Sequence, residues 1–414
     1  LPTVARVHFV VIPRLVRIDV LIHECREPLL QFSRFCRIIE VHIRHRLPQP
    51  SDKPLRPAER KMELDNTQEP RPGEELDHEK LEAYLRSRLP TAFSKLDIFQ
   101  FPAGSSNLTY LLRLGSTEYV LRRPPFGNTV RTAHDMRREF DVLSKLAFAY
   151  PPAPEPILFC DDASVIGSEF YLMEKRNGVI VRGSLPSAAA ASKDLQQRLC
   201  SSFIRGLAEL HKVDHKAAGL SDLGNPEGYN RRQVEGWAKR YLAAKTDEHP
   251  ELESAMSWLG RNIPPEFGAA LVHNDYKFDN IMLDPDDLTR IVAVLDWEMV
   301  TIGDPLMDLG TTLGYWMSAD AGDELMNMPF NPRTLMENFS RRDLADIYGE
   351  ASGRELPDLL FYYVFGTFKI AVIAQQIYAR YARGLTKDRR FANFDKFVGA
   401  LGRIAGNSID KGSI

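Results

Sequence analysis

Leu271-Val272-His273-Asn274-Asp275-Tyr276-Lys277-Phe278-Asp279-Asn280-Ile281-Met282-Leu283 is the stretch that decides how this chain reads. A carboxylate, a lysine two residues on and an asparagine five residues on lie between two short apolar runs. A second acidic segment follows, Val294-Leu295-Asp296-Trp297-Glu298, and then Gly303-Asp304-Pro305-Leu306-Met307-Asp308-Leu309. Phosphoryl transfer from a nucleotide asks for such a set. One carboxylate orients the attacking hydroxyl and takes its proton. A second carboxylate and an amide oxygen hold Mg2+, a hard cation that prefers oxygen. A cation offsets the charge near the transferred group. Asp275, Asp296, Asn280 and Lys277 fill these roles in that order, so Asp275 and Lys277 are the catalytic candidates and Asn280 and Asp296 the metal candidates. A lone His-x-Asp would read as a polar loop closing a hairpin. The added lysine and asparagine, with Asp-Trp-Glu 16 residues beyond Asn280, outweigh that reading.

Working outward, 96–101, 109–114 and 119–122 read as strands, with a turn-like segment between the first two. Gly104-Ser105-Ser106-Asn107 sits in that turn, where backbone N–H groups could cover phosphates, which makes Ser105, Ser106 and Asn107 nucleotide candidates. Alternation from Val120 turns Arg122 toward the same cleft, and Glu139, in a helix expected over 135–146, could pair with it. A further strand is expected at 170–174. From residue 193 the periodicity is helical, at 195–211, 234–244, 251–259, 335–338, 342–348 and 357–383. The exceptions are a strand pair, 271–272 with 281–283, and then 292–295. Residues 95–176 therefore form a small β-rich lobe, and 177–414 a larger helical one.

The chain's 414 residues fit two lobes around one cleft. A net charge of -3 gives no case for nucleic acid. Cys25, Cys36, Cys160 and Cys200 form no Cys-x-x-Cys pair, so a reducing cytoplasm is the default. The apolar run 359–374 contains Lys369 and meets Gln375 and Gln376, which reads as too short and too polar to cross a membrane. The expected partner is a small-molecule acceptor, with oligomeric state unspecified. Residues 1–61 carry 12 Lys/Arg against 6 Asp/Glu and end in a proline-rich tract. They read as a basic extension outside the fold, with Met62 the expected true start. Residues 62–94 read as an acidic linker, mobile over 62–75, and a leading helix with Asp77 as N-cap.

From about Phe101 to about Gly384 the chain resembles the aminoglycoside phosphotransferase/choline kinase family. HNDYKFDN (273–280), LDWE (295–298) and GDPLMDLG (303–310) carry the resemblance. GSSNLTY and YVLRRPP look similar to the subgroup found alone in bacteria or fused to acyl-CoA dehydrogenases. The resemblance implies an α+β, bilobal protein-kinase-like fold with ATP between the lobes and Mg2+ on Asn280 and Asp296. It implies Asp275 as base, Arg122 as the ATP-contacting cation and Glu139 as its partner. Leu172-Met173-Glu174-Lys175 looks like the hinge that reads adenine, which adds Glu174 to the nucleotide candidates. Asp308, His273 and His211 are expected to brace the structure. The family's substrates include aminoglycosides, choline and hydroxylated acyl compounds. A polycation would want an acid-rich pocket, but 315–395 holds 11 acids and 10 bases. Lys369, Arg380 and Arg383, with Gln376, share a narrow helical arc that reads either as a solvated basic face or as a surface that could meet an anionic, CoA-linked acceptor. Absence of Asp-Phe-Gly and Ala-Pro-Glu argues against a protein kinase. Amino-alcohol or aminoglycoside kinase, and a nucleotide-binding sensor, are the alternative readings.

Overall fold

The computed structural model describes residues 67–89, 95–102, 107–125, 135–317, 321–326, 328, 330–384 and 389–414. The basic segment 1–61 lies outside the described residues. Helix α1 (His78–Arg88) opens where Asp77 accepts the Lys80 N–H at 3.1 Å. Its Leu81 and Leu85, one turn apart, are buried against the sheet of the small lobe. That sheet contains β1 (Leu96–Gln100), β2 (Leu108–Leu114), β3 (Thr117–Arg123), β4 (Pro156–Cys160) and β5 (Phe170–Glu174). Its order is β1-β2-β3-β5-β4, antiparallel throughout. Strand β4 was not expected from the sequence, because the prolines around 151–156 argue against a strand. It lies at the sheet edge, where a missing N–H costs no ladder bond. Helix α2 (Met136–Ala149), capped by Asp135, buries Val142, Leu143 and Leu146.

The acidic run before α1 is tied to the sheet where it is described. Gln68 and Gln100 exchange backbone hydrogen bonds of 3.0 and 2.7 Å, and the Tyr110 hydroxyl donates to the Glu74 carbonyl at 2.6 Å. The composition gave no hint of this, since the anchoring groups are mostly backbone.

The large lobe is built from α3 (Lys193–His211), α4 (Tyr229–Ala244), α5 (Pro250–Arg261), α6 (Pro305–Tyr315), α7 (Arg341–Ser352), α8 (Leu359–Ala382) and α9 (Phe394–Lys411). Helix α6 continues directly from the second acidic segment. Asp304 caps it and Pro305 takes its first position, an N-terminal signal that apolar periodicity does not register. Helix α8 corrects the reading of 359–374 as too short and polar for a span. It runs 24 residues and contains an 18-residue window of mean hydropathy 1.3, long and apolar enough to cross a membrane, yet 94% of that window is buried inside the fold. It continues through Gln375 because that side chain donates to the Ala244 carbonyl at 3.0 Å and to Thr246 Oγ1 at 2.8 Å. Where α6 crosses α8, a Cβ on Gly366 would sit 2.0 Å from the Gly310 carbonyl oxygen. The two backbones touch, which only glycine permits.

Two small sheets frame the loops. One is β6-β8-β9, from β6 (Val179–Ile180), β8 (Ile281–Leu283) and β9 (Ile291–Val294). The other joins β7 (Ala270–Val272) to β10 (Thr301–Gly303). The expected pairing of 271–272 with 281–283 is therefore corrected. The Leu295 N–H donates to the Asn280 carbonyl at 2.8 Å, aligning β8 with β9 and leaving β7 to β10.

Candidate active site

The loop 273–280 leaves β7 and is fixed at once from α6. Asp308 accepts from the His273 N–H at 2.7 Å, the Asn274 N–H at 2.8 Å and His211 Nε2 at 3.1 Å. Burial works to raise the Asp308 pKa, but His211 and His273 outweigh it and hold the carboxyl below the usual range. Asn274 adopts φ 67°, a left-handed conformation that asparagine tolerates better than most side chains. Every polar group of Asn274 is used: Nδ2 donates to the Met299 carbonyl, Oδ1 accepts from Tyr229, and its carbonyl accepts from Lys369 Nζ at 2.9 Å. His273 lies 3.0 Å through Nε2 from the Leu295 carbonyl and 3.3 Å through Nδ1 from the Asp275 N–H. Those partners require the proton on Nε2. Burial pushes the imidazole below its ordinary value against the pull of Asp308, Asp275 and Asp296, so it is neutral at pH 7.

Asp275, Lys277 and Asn280 come together in the buried interior of this loop. Asp275 Oδ2 accepts from Lys277 Nζ at 2.5 Å and from Asn280 Nδ2 at 2.9 Å. Asn280 Nδ2 also reaches the Asp275 carbonyl at 2.9 Å, so the amide nitrogen is committed and a metal would meet the amide oxygen. Oδ1 accepts from the Tyr315 hydroxyl at 3.0 Å. Sequence reading missed Tyr315, because Leu313-Gly314-Tyr315-Trp316 looks like any buried helical run.

The small lobe meets the second acidic segment through Arg122. Its Nη1 lies 3.3 Å from Glu139 Oε1 and its Nη2 3.3 Å from Asp296 Oδ1. Burial alone would weaken this guanidinium's hold on its proton; Glu139, Tyr171 and Asp296 push its pKa up instead. Asp296 sits at φ 69° at the end of β9's extension. Asn107 Nδ2 donates to Glu298 Oε2 at 3.3 Å, a second tie across the lobes. Arg138 adds two more, to the Glu298 and Val300 carbonyls. Ser105 and Ser106 lie outside the described residues. Glu174 stands apart from both clusters: at the end of β5 its Oε1 accepts from the Glu155 N–H at 2.8 Å and from Arg176 Nε at 2.7 Å.

Lys369 and Arg380 on α8 and Arg383 at its C-cap line up along one arc but do not share an environment. Lys369 is buried at the loop, with Nζ 5.7 Å from the Trp237 ring centroid, while Arg240 lies 4.5 Å from the same ring. Burial pushes Lys369 down to about 8, with Asp308 and Asp275 opposing. Arg383 is exposed and donates to the Ala243 carbonyl at 3.2 Å, and Arg380 is half-buried. Eleven residues separate Lys369 from Arg380, ~16 Å along the helix. The structure brings only Lys369 of the three to the loop.

Residues 97–338 match the profile described as "Phosphotransferase enzyme family". Acyl-CoA dehydrogenase family member 11 of Gallus gallus is 37% identical over 344 residues, covering 81% of this chain and 44% of that protein. The chain thus spans less than half the length of the curated relatives it matches. A crystal structure from Ralstonia eutropha JMP134, provisionally named an aminoglycoside phosphotransferase, is 31% identical at a TM-score of 0.70, covering 81% of this chain and 99% of that one. Choline kinase from Cryptosporidium parvum Iowa II shares the fold at 14% identity and a TM-score of 0.53, over 81% and 97% of the two chains. The architecture is the α+β, bilobal, kinase-like one. The match runs from β1 through the 273–280 loop and both acidic segments, and the chain belongs to the phosphotransferase enzyme family as a small-molecule kinase.

Proposed function

We propose that this chain transfers the γ-phosphate of ATP, with Mg2+, to the hydroxyl of an anionic small molecule of the hydroxyacyl, CoA-linked type. The observation that carries the reading is the pairing of two clusters. Asp275 gathers Lys277 and Asn280 on one side, and Arg122 joins Glu139 to Asp296 on the other. In this reading Asp275 orients the acceptor hydroxyl and takes its proton, and Lys277 offsets charge beside it. Arg122, positioned by Glu139, meets the phosphates. The loop holding Ser105, Ser106 and Asn107 covers them, and the segment at Glu174 flanks the adenine. The donor set is of the kind Mg2+ prefers, a carboxylate at Asp296 and an amide oxygen at Asn280, and the Leu295 N–H to Asn280 carbonyl bond joins the two segments at the backbone. When bound, the metal would neutralise charge on the phosphate oxygens.

Lys369 and Arg240 support an anionic acceptor, since they put two cations around Trp237 beside the loop. The name of the acyl-CoA dehydrogenase relative points the same way. Buried free Cys160 and Cys200 accord with a reducing, cytoplasmic setting. The test is turnover of Mg·ATP with a hydroxyacyl-CoA, choline and kanamycin in parallel. Phosphorylation of the hydroxyacyl-CoA alone is expected. Turnover restricted to choline or kanamycin would overturn the acceptor class. ATP binding with no transfer to any hydroxyl would make the protein a sensor.

A further inference from the structure

Tyr315 is the last residue of α6, and it belongs to neither acidic motif. It is 1% exposed, and its ring packs on Phe330 at a centroid distance of 4.9 Å. Its carbonyl accepts from Asn331 Nδ2 at 3.1 Å, and Asn331 Oδ1 accepts from the Phe278 N–H at 3.1 Å. The catalytic loop and the end of α6 are thus tied through one asparagine. Lys277 Nζ lies 5.2 Å from the Tyr315 ring centroid, close enough for a cation–π contact.

The hydroxyl itself is what matters chemically. The two donors from within the loop, Lys277 and Asn280, both bond Oδ2 of Asp275 and hold the carboxylate from that side. Tyr315 bonds Oδ1 at 3.0 Å, so the carboxylate is held at both oxygens and resists rotation about Cβ–Cγ. Burial, and next the charge of Asp275, push the phenol well above its ordinary value, so the hydroxyl keeps its proton and remains a donor. We propose that Tyr315 is a positioning residue for phosphoryl transfer, fixing the plane of the Asp275 carboxylate so that one lone pair of Oδ1 faces the incoming acceptor hydroxyl. This rests on Asp275 being the base. A carboxylate that must meet a hydroxyl within hydrogen-bond reach loses rate when its plane is not held.

The test uses Tyr315→Phe in the full chain, which keeps the ring, its packing and the cation–π contact. The probe is Mg·ATP hydrolysis with water as acceptor, alongside ADP affinity, thermal midpoint and Asp275→Asn. The expected result is a fall in kcat of about tenfold or more, with KM for ATP and ADP affinity unchanged and at most a small drop in thermal midpoint from the lost buried hydrogen bond. A kcat within twofold of wild type, with Asp275→Asn inactive, would overturn the role of Tyr315 and leave the base in place. Loss of kcat only together with ADP affinity and thermal midpoint would make the hydroxyl structural and equally overturn it. Wild-type turnover in Asp275→Asn would instead remove the base on which the inference stands.

Discussion

Arg122 Nη2 lies 3.3 Å from Asp296 Oδ1, although 174 residues separate them in sequence. With Glu139 at 3.3 Å from Nη1, the guanidinium spans a residue proposed to hold the metal and a helix of the small lobe. Two parallel attachments need the planar fork of arginine. Arg122→Lys should therefore keep one partner and lose the other. We expect KM for ATP to rise about tenfold, with little change in acceptor KM, because each charge-assisted contact is worth ~1.5–3 kcal/mol. An unchanged ATP KM would take Arg122 away from the nucleotide.

Asp296→Asn should abolish Mg2+-dependent transfer and lower the thermal midpoint modestly, since one anionic oxygen on the proposed metal is lost and the Arg122 ion pair is reduced to a bond with a neutral amide. Mg2+ titration of turnover reads this directly. Near-normal activity at ordinary Mg2+ would remove Asp296 from the metal site.

The clasp between Asn107 and Glu298 ties the end of the loop beside Ser105 and Ser106 to the residue two past Asp296. Asn107→Ala should weaken ATP binding several-fold, by roughly 1 kcal/mol for one hydrogen bond to a charged group. Equilibrium binding of a fluorescent ATP analogue would register it. The same affinity in variant and wild type would mean that the clasp does nothing for the nucleotide.

Much of this site could be read from the chain before any coordinates. His-x-Asp-x-Lys-x-x-Asn concentrates four candidate side chains within eight residues, so local spacing alone brings Asp275, Lys277 and Asn280 together. The pairing of Arg122 with Glu139 followed from strand alternation and a helix expected nearby. What stayed hidden depends on contacts distant in sequence. Tyr315 reaches Asp275 across 40 residues, and Lys369 reaches the Asn274 carbonyl across 95. Nothing in the composition of α8 separates Lys369 from Arg383, yet the first is buried at the loop and the second is exposed. Strand β4 hid behind its prolines, and the link between Gln68 and Gln100 is made by backbone groups that every residue has.

The glycine crossing of α6 and α8 carries a stability prediction. Gly366→Ala would drive a methyl to 2.0 Å from the Gly310 carbonyl, and Gly310→Ala would meet the Tyr362 carbonyl at 2.1 Å. Either change must push the helices away from each other, at a cost of about 3 kcal/mol. Because Asp308 sits on α6 and anchors the 273–280 loop, proposed to be catalytic, kcat should fall along with the thermal midpoint. A variant with wild-type midpoint would show that the helices separate freely.

Lys369 gives a pH dependence whose sign is fixed. Its pKa in the fold is lowered to about 8, below the value of an exposed lysine. Between about 8 and 10 the unfolded chain therefore binds more protons, and this residue's contribution to stability rises with pH. Below about 8 both states are protonated and the penalty for burying the ammonium is fully present. Acceptor binding should move the opposite way. If the ammonium attracts an anionic acceptor, acceptor KM rises as the pH passes 8. Lys369→Met should raise KM at pH 7 and remove that rise. A pH-independent KM in wild type would detach Lys369 from the acceptor.

Asp275 is proposed, above all, to direct the γ-phosphate of ATP onto a hydroxyl of a hydroxyacyl compound. 31P NMR of the wild-type chain with Mg·ATP and a hydroxyacyl-CoA tests this most directly, with Asp275→Asn beside it. The expected result is a new phosphomonoester resonance that grows with ADP in wild type, and a rate at least ~100-fold lower in the variant, in the range a general base contributes. No phosphomonoester in wild type, or the same rate in Asp275→Asn, would contradict it.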